Sequence, residues 1–241
     1  MAVPSTVTTA LADRPVEGRR CLEAGAGVGN ATAGLLDAGA ERVYAVTNDR
    51  AHARTTRERV ADGDTRSDRL AVLESDLRTL ALADDSIELI TAHGLCNVLD
   101  PAELSAVAAT FRRVAAPGCH LVIDDYAPLP ETAAVRELFA VENAAAELAT
   151  GGPALTFYPP DALRRCFVGG GWSFDRERTL LDPVPWTADH LSAHAVAARD
   201  HAAGCPGDLG DRLAARADRL ATAIGSESAG RMYSLAFRLS A

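Results

Sequence analysis

Between Arg20 and Asp49 the chain runs Arg20-Cys21-Leu22-Glu23-Ala24, then Gly25-Ala26-Gly27-Val28-Gly29-Asn30, then an Ala- and Leu-rich helical stretch, then Val43-Tyr44-Ala45-Val46-Thr47. This reads as a buried strand, a glycine turn, a helix and a second strand. No other stretch constrains the fold as tightly, because the order describes one half of a doubly wound α/β sheet. Glycines are needed where backbone takes a positive φ or passes close to a ligand. Three of them let the chain turn sharply from strand to helix. The helix that follows, with Asn30 read as its cap, presents free N–H groups that suit a phosphate or a carboxylate.

The spacing of the glycines narrows the ligand. A dinucleotide turn of the form Gly-x-Gly-x-x-Gly would place its third glycine at position 30, which is Asn30. The pattern Glu23-x-Gly25-x-Gly27-x-Gly29 instead resembles motif I of the class I S-adenosylmethionine (SAM)-dependent methyltransferases. That resemblance implies that the turn wraps the methionine end of SAM, with Glu23 as its acidic partner. It implies Glu23, Gly25, Ala26, Gly27, Gly29 and Asn30 as cofactor-binding residues. Asp76 matches the family position that accepts from the adenine amino group, and Leu77 would offer its backbone N–H to the ring. In the family an acid at the end of the second strand holds both ribose hydroxyls. Here that position is Thr47, which can make one hydrogen bond but not a bidentate pair, with Asn48 and Asp49 beside it as alternatives. In a dinucleotide enzyme the missing acid would point to NADP, with Arg50 near the 2′-phosphate; the glycine spacing argues against that reading. The segments Asp85–His93 and Phe111–Gly118 resemble the family's fourth strand and its later helix with Pro-Gly turn. The likeness covers residues 18–128 well and continues weakly through Phe157–Leu163 and Gly169–Trp172.

Strands are expected at about Arg20–Ala24, Arg42–Val46, Leu70–Glu74, Ser86–Ala92, His120–Asp124, Trp172–Leu181 and Met232–Leu239. Helices are expected at Asn30–Ala38, Asp49–Ala61 (ending before Asp62-Gly63) and Pro101–Ala116. The last carries an apolar stripe of Leu104, Val107, Ala108, Phe111 and Val114 and is ended by Pro117-Gly118. The resemblance implies an α/β fold with a doubly wound, mostly parallel seven-stranded sheet, Rossmann-like, in one methyltransferase domain spanning 1–241. The first eighteen residues hold no more than a helical turn or two. Two additions, one helix over 130–150 and two over 183–230, are expected to form a lid over the carboxyl edge of the sheet; the alternative is a homodimer interface.

With 241 residues, 48% apolar and 24% charged, the chain has the composition of a folded α/β protein. The 24 basic side chains are all Arg, which removes Lys as a catalytic base. A net charge of −9 argues against nucleic acid as the main partner. No apolar run reaches membrane-spanning length and no signal segment opens the chain, so no membrane partner and a cytoplasmic location are expected. Five scattered cysteines lack a metal-ligand spacing and read as reduced thiols.

Methyl transfer from SAM is an in-line displacement, so alignment can supply most of the catalysis and a base is required only if the acceptor must lose a proton. The strand-four end, Ala92-His93-Gly94, lacks the Asn/Asp-Pro-Pro-Tyr signature of enzymes that methylate amino groups of DNA bases and glutamine side chains. A small-molecule acceptor, with oxygen or carbon favoured over nitrogen, is therefore expected. His93, placed near the cofactor sulfur, is a candidate base or cofactor-packing residue. Asp124, Asp125 and Tyr126 leave strand five on the same edge, and Asp125 is a candidate for orienting the acceptor. Glu142 shares a helical stripe with Val135, Leu138 and Phe139. A carboxylate there is costly unless paired or facing a pocket, so it is expected in the acceptor cavity, or else against an Arg or solvent. His190, His194 and His201 share a helical face but offer a metal only two close ligands; no metal is expected. Tyr158, Trp186 and Arg231 are further candidates for the acceptor pocket. The alternatives in function are a protein of this fold that binds SAM without transferring methyl, and an NADP-dependent oxidoreductase.

Overall fold

The computed structural model describes residues 3–60 and 67–240. Seven strands form one sheet: β1 (Arg20–Ala24), β2 (Arg42–Thr47), β3 (Leu70–Glu74), β4 (Ile87–His93), β5 (Ala115–Tyr126), β6 (Trp172–Leu181) and, at the end of the chain, β9 (Met232–Leu239). Their order across the sheet is β3-β2-β1-β4-β5-β9-β6. The first five are parallel, and β9 runs antiparallel between β5 and β6. The order reverses between β1 and β4, so a crevice opens beyond their carboxyl ends.

Burial on both faces explains why these strands are near-continuous apolar runs. On one face Val7 and Leu11 of α1 (Ser5–Leu11), Leu35 and Leu36 of α2 (Asn30–Asp37) and Val60 of α3 (Arg50–Val60) pack on Cys21, Val43 and Leu89. On the other, Leu104, Val107 and Phe111 of α4 (Pro101–Val114) and Leu163 and Phe167 of α6 (Pro160–Gly169) pack on Leu22, Ile90, Leu121 and Phe237. Asp100 starts α4 with a reciprocal capping box to Glu103, and Pro101 occupies its first position.

A third apolar cluster lies beyond the carboxyl edge of the sheet. It joins α5 (Val135–Thr150), α7 (Ala188–Ala202) and α8 (Asp208–Ile224) to Tyr126, Leu181 and Met232 at the ends of β5, β6 and β9. A two-stranded ribbon, β7 (Pro185–Trp186) with β8 (Glu227–Ser228), closes the base of the α7–α8 insertion. Sequence periodicity does not reveal a ribbon this short.

Three expectations need correction. The helix at 101 ends at Val114, not at the Pro117-Gly118 turn, because Ala115 is already extended and pairs with Ile87. Strand β5 therefore contains Pro117 and Gly118, with an irregular register opposite Ile87–Leu89 that tolerates the missing proline N–H. The helix expected from Pro130 starts at Val135, where the Glu227 carboxylate accepts the N–H groups of Ala134 (3.0 Å) and Val135 (2.8 Å). That cap comes from a residue 92 positions away and leaves no local signature. Asn30 is not the cap of α2 but its first residue; Gly29, in the left-handed region, precedes it. The stop expected at Asp62-Gly63 lies outside the described residues. All five cysteines are free thiols. No helix among the described residues is long and apolar enough to cross a membrane.

Candidate active site

The glycine turn leads from β1 to α2 with φ of +76° at Gly25, +51° at Gly27 and +77° at Gly29. The amides of Gly25 and Ala26 donate to Val46 O at the end of β2. From α3, the Thr56 hydroxyl donates to Gly27 O (3.1 Å). Beneath the turn, Glu23 is buried and accepts from the Thr32 hydroxyl and from the Ala31 and Thr32 amides of the first turn of α2. Burial pushes its carboxyl up to about 8. Glu23 thus holds the helix N-terminus from below and does not line the cleft above it. Ala26, Gly27, Gly29 and Asn30 likewise lie outside the cleft lining, which Gly25 alone of the turn enters.

That cleft, about 150 Å³, runs along the carboxyl ends of β1 to β3. Gly25, Thr47, Asn48, Asp76 and Leu77 line it, opposite Leu95, Leu99 and Val107. Thr47 is buried, and its hydroxyl accepts the Asp49 N–H (3.1 Å). Asp49 in turn accepts the His52 N–H (2.8 Å) at the start of α3, which lowers its pKa. Both side chains are thereby engaged in shaping the β2–α3 turn, and Asn48 is the exposed polar residue between them. The Asp76 carboxylate is engaged as well. It accepts the Arg78 N–H (2.8 Å), Nε (3.0 Å) and Nη2 (2.6 Å), and Arg78 also reaches Glu103 (2.9 Å). These bonds depress the Asp76 pKa. A Cβ on Gly25 would lie 2.9 Å from Leu95 Cδ1 and push that side-chain tip aside, and the φ of +76° already favours glycine here. An apolar slot with a carboxylate at one side and a glycine turn at the other fits an adenosyl group carrying an amino acid.

At the ends of β4 and β5, His93 Nδ1 lies 3.1 Å from Asp124 Oδ2, while Asp124 Oδ1 is buried without a hydrogen-bond partner. Asp125 is buried and accepts the amides of Cys96, Asn97 (3.0 Å) and Tyr126 (2.8 Å). Burial pushes it up to about 7 against those bonds. It fixes the segment after β4, whose Gly94 takes φ +63°.

Across that segment lies a second cavity of about 190 Å³, walled by the rings of Tyr126, Phe157, Trp186, His190 and His194, with Asn97 between it and the cleft. Asn97 Oδ1 is buried and unpartnered. Glu142, buried on α5, stands behind His194: its Oε2 lies 2.8 Å from His194 Nδ1. Its partner is thus neither Arg nor solvent. Asn143 exchanges two hydrogen bonds with the Leu155 backbone and so fixes the approach to Phe157. Of the other pocket candidates, Trp186 is in the wall. Tyr158 instead donates to Leu99 O (2.9 Å), and Arg231 pairs with Glu177 (3.1 Å). The sequence reading placed His190, His194 and His201 on one helical face, solvated or walling a pocket, and the structure puts His190 and His194 in the wall; it passed over Asn97, which carries no sequence signal. Among the described residues no group of three metal-ligating side chains occurs. A larger groove of about 710 Å³ beside α1 opens near Arg19 and Ala38, at the opposite edge of the sheet from the glycine turn.

The sheet order is that of the Rossmann-like methyltransferase fold. Residues 21–118 match the family described as a methyltransferase domain. No curated protein matches by sequence. Among solved structures, the [4+2]-cyclase SpnF is similar at 15% identity, over 98% of this chain and 80% of its own, with a TM-score of 0.65. Geranyl diphosphate C-methyltransferase from Streptomyces coelicolor A3(2), solved with Mg2+, geranyl diphosphate and S-adenosyl-L-homocysteine, matches at 13% identity, over 97% and 76%, with a TM-score of 0.63. The YcgJ protein from Bacillus subtilis matches at 13% identity, over 98% of each chain, also at 0.63. At these identities the likeness speaks for the fold.

Proposed function

We propose that this methyltransferase acts on a small, largely apolar molecule, at oxygen or carbon, and that the acceptor enters the cavity of Tyr126, Phe157, Trp186, His190 and His194. The observation that carries this reading is the placement of that ring-walled cavity across the Leu95–Leu99 segment from the glycine-floored cleft. When bound, SAM supplies a methyl group on a sulfonium, open to in-line displacement.

The cleft residues would hold it. Gly25, Ala26, Gly27 and Gly29 offer close backbone approach to its amino-acid end, with Glu23 keeping the turn in shape. Asn48 and Thr47 face the ribose, and Asp76 and Leu77 the adenine. The single methyltransferase domain carries its own lid in α5, α7 and α8. Packed beyond the carboxyl edge, these helices exclude water from the acceptor and set its shape. Asp125 fixes the segment after β4 that lies between the two cavities, and His93, held by Asp124, ends β4 just before it. A net charge of −9 favours a neutral or cationic acceptor over nucleic acid and suits a cytoplasmic enzyme.

Calorimetric titration of the full chain with SAM, S-adenosylhomocysteine and NADPH tests the reading. SAM and its demethylated product should bind and NADPH should not. Preference for NADPH, or no binding of SAM, would overturn it.

A further inference from the structure

We infer that His194 is the general base of this enzyme: its Nε2 takes the proton of an aromatic hydroxyl acceptor, and Glu142 positions its ring. The inference rests on the reading that the ring-walled cavity is the acceptor site. It deepens that reading by choosing oxygen as the acceptor atom.

Glu142 sits on the apolar stripe of α5 and is only 4% exposed. Its contact to His194 Nδ1 spans two helices that are 52 residues apart in the chain. A carboxylate accepts and does not donate, so Nδ1 carries the hydrogen. That fixes the tautomer and leaves the ring's lone pair on Nε2. The ring itself is fixed by an edge-on contact to Phe139, with centroids 4.5 Å apart, and a further one to Trp186 at 6.4 Å. It lines the cavity with about a quarter of its side chain exposed.

A neutral imidazole leaves the buried carboxylate without a counter-charge, and a proton arriving at Nε2 turns the contact into an ion pair. In the transfer the acceptor O–H bond breaks and the Nε2–H bond forms. The electron pair stays on oxygen as the nucleophile, and the proton later passes from the imidazolium to solvent.

The groups around His194 agree with this role. Tyr126 of β5 and His190 of α7 are the other titratable side chains in the wall, and Glu142 of α5 stands behind. The His190 ring is engaged at the start of α7 in a capping box with Thr187, and burial pushes the Tyr126 hydroxyl up, so it keeps its own proton and is no base. The other His–carboxylate pair, His93–Asp124, is not in this wall. The buried, unpartnered Asn97 Oδ1 adds an acceptor for a second hydroxyl on the same ring. The acceptor class is therefore a phenol or a catechol-like compound.

The test uses 4-nitrophenol, whose phenolate absorbs in the visible and whose neutral form does not. Added to the wild-type chain below the pH at which it ionises in water, it should bind and develop the phenolate band. His194→Asn should bind it without the band. Glu142→Gln, which keeps a hydrogen-bond acceptor but removes the charge, should weaken the band. Turnover of hydroxyl acceptors should fall roughly 10² to 10⁴-fold in His194→Asn. A band of equal strength in His194→Asn, a band of undiminished strength in Glu142→Gln, or no binding of 4-nitrophenol would each overturn the inference. S-adenosylhomocysteine titration of each variant serves as the folding control. Failure of the wild type to bind it would sink the parent reading, whatever the phenol does.

Discussion

Gly210 lies in the first turn of α8, where ordinary helix propensity and tertiary packing predict opposite signs for Gly210→Ala. Alanine in a helix interior is favoured over glycine by about 1 kcal/mol, so propensity alone predicts stabilisation. A Cβ at this position, however, would stand 2.4 Å from the carbonyl oxygen of Ala202, the last residue of α7, and 3.3 Å from its carbonyl carbon. Real Cβ atoms do not approach within 3.0 Å, so the two helices must part by at least 0.6 Å, the difference between 3.0 and 2.4. The obstacle is backbone and cannot rotate away as a side-chain tip would. Overpacking of this kind costs about 1–3 kcal/mol and outweighs a propensity gain that is smaller in a first turn than mid-helix. Gly210→Ala should therefore destabilise the chain by about 1–2 kcal/mol, read as a lower urea midpoint with an unchanged slope. Because α7 carries His190 and His194, 4-nitrophenol binding should weaken while S-adenosylhomocysteine affinity holds. An unchanged or higher midpoint would refute the steric argument.

Three other perturbations follow from the site. Glu23 is raised to about 8 by burial, so its contribution is fully present below the ordinary carboxyl pKa and is lost as pH rises through 8. The stability of wild type relative to Glu23→Gln should thus fall between about pH 5 and 8, by at most ~1.4 kcal/mol per unit; a difference that rises or stays level across urea melts in that range would contradict it. Arg78 occupies the Asp76 carboxylate that the adenine amino group needs, so Arg78→Ala should tighten S-adenosylhomocysteine binding by calorimetry, and equal or weaker binding would show that Arg78 does not compete. Tyr233 is fully buried and donates to Tyr158 O at 2.9 Å; Tyr233→Phe leaves that carbonyl unpaired and should cost about 1–2 kcal/mol in thermal or urea unfolding, with no loss expected if water replaces the hydroxyl.

The cofactor half was legible because its signals are local. Alternating glycines at 25, 27 and 29 demand positive φ whatever surrounds them, and short apolar runs such as Leu70–Glu74 have only one way to be buried on both faces. The Pro117-Gly118 stop misled because proline and glycine mark a break in a helix and also a bulge in a strand; pairing of Ala115 with Ile87 decided between the two. Thr47 stands where the resembling family carries an acid, and its bond to the Asp49 amide belongs to turn geometry that composition does not encode. The acceptor side was legible only in fragments. Glu142 stood out as a carboxylate on an apolar stripe, but its partner arrives from a helix in another insertion. Nothing in either segment announces the other.

The α7–α8 insertion leaves the sheet at Leu181 and returns at Met232, and those two residues face each other in the β6–β9 register. Both ends of a fifty-residue excursion thus meet where a tight reverse turn would suffice to join the strands. A chain built this way can exchange both helices of the insertion at a single hairpin, with the cofactor crevice untouched. One glycine-floored engine can thereby be refitted for acceptors that have nothing in common.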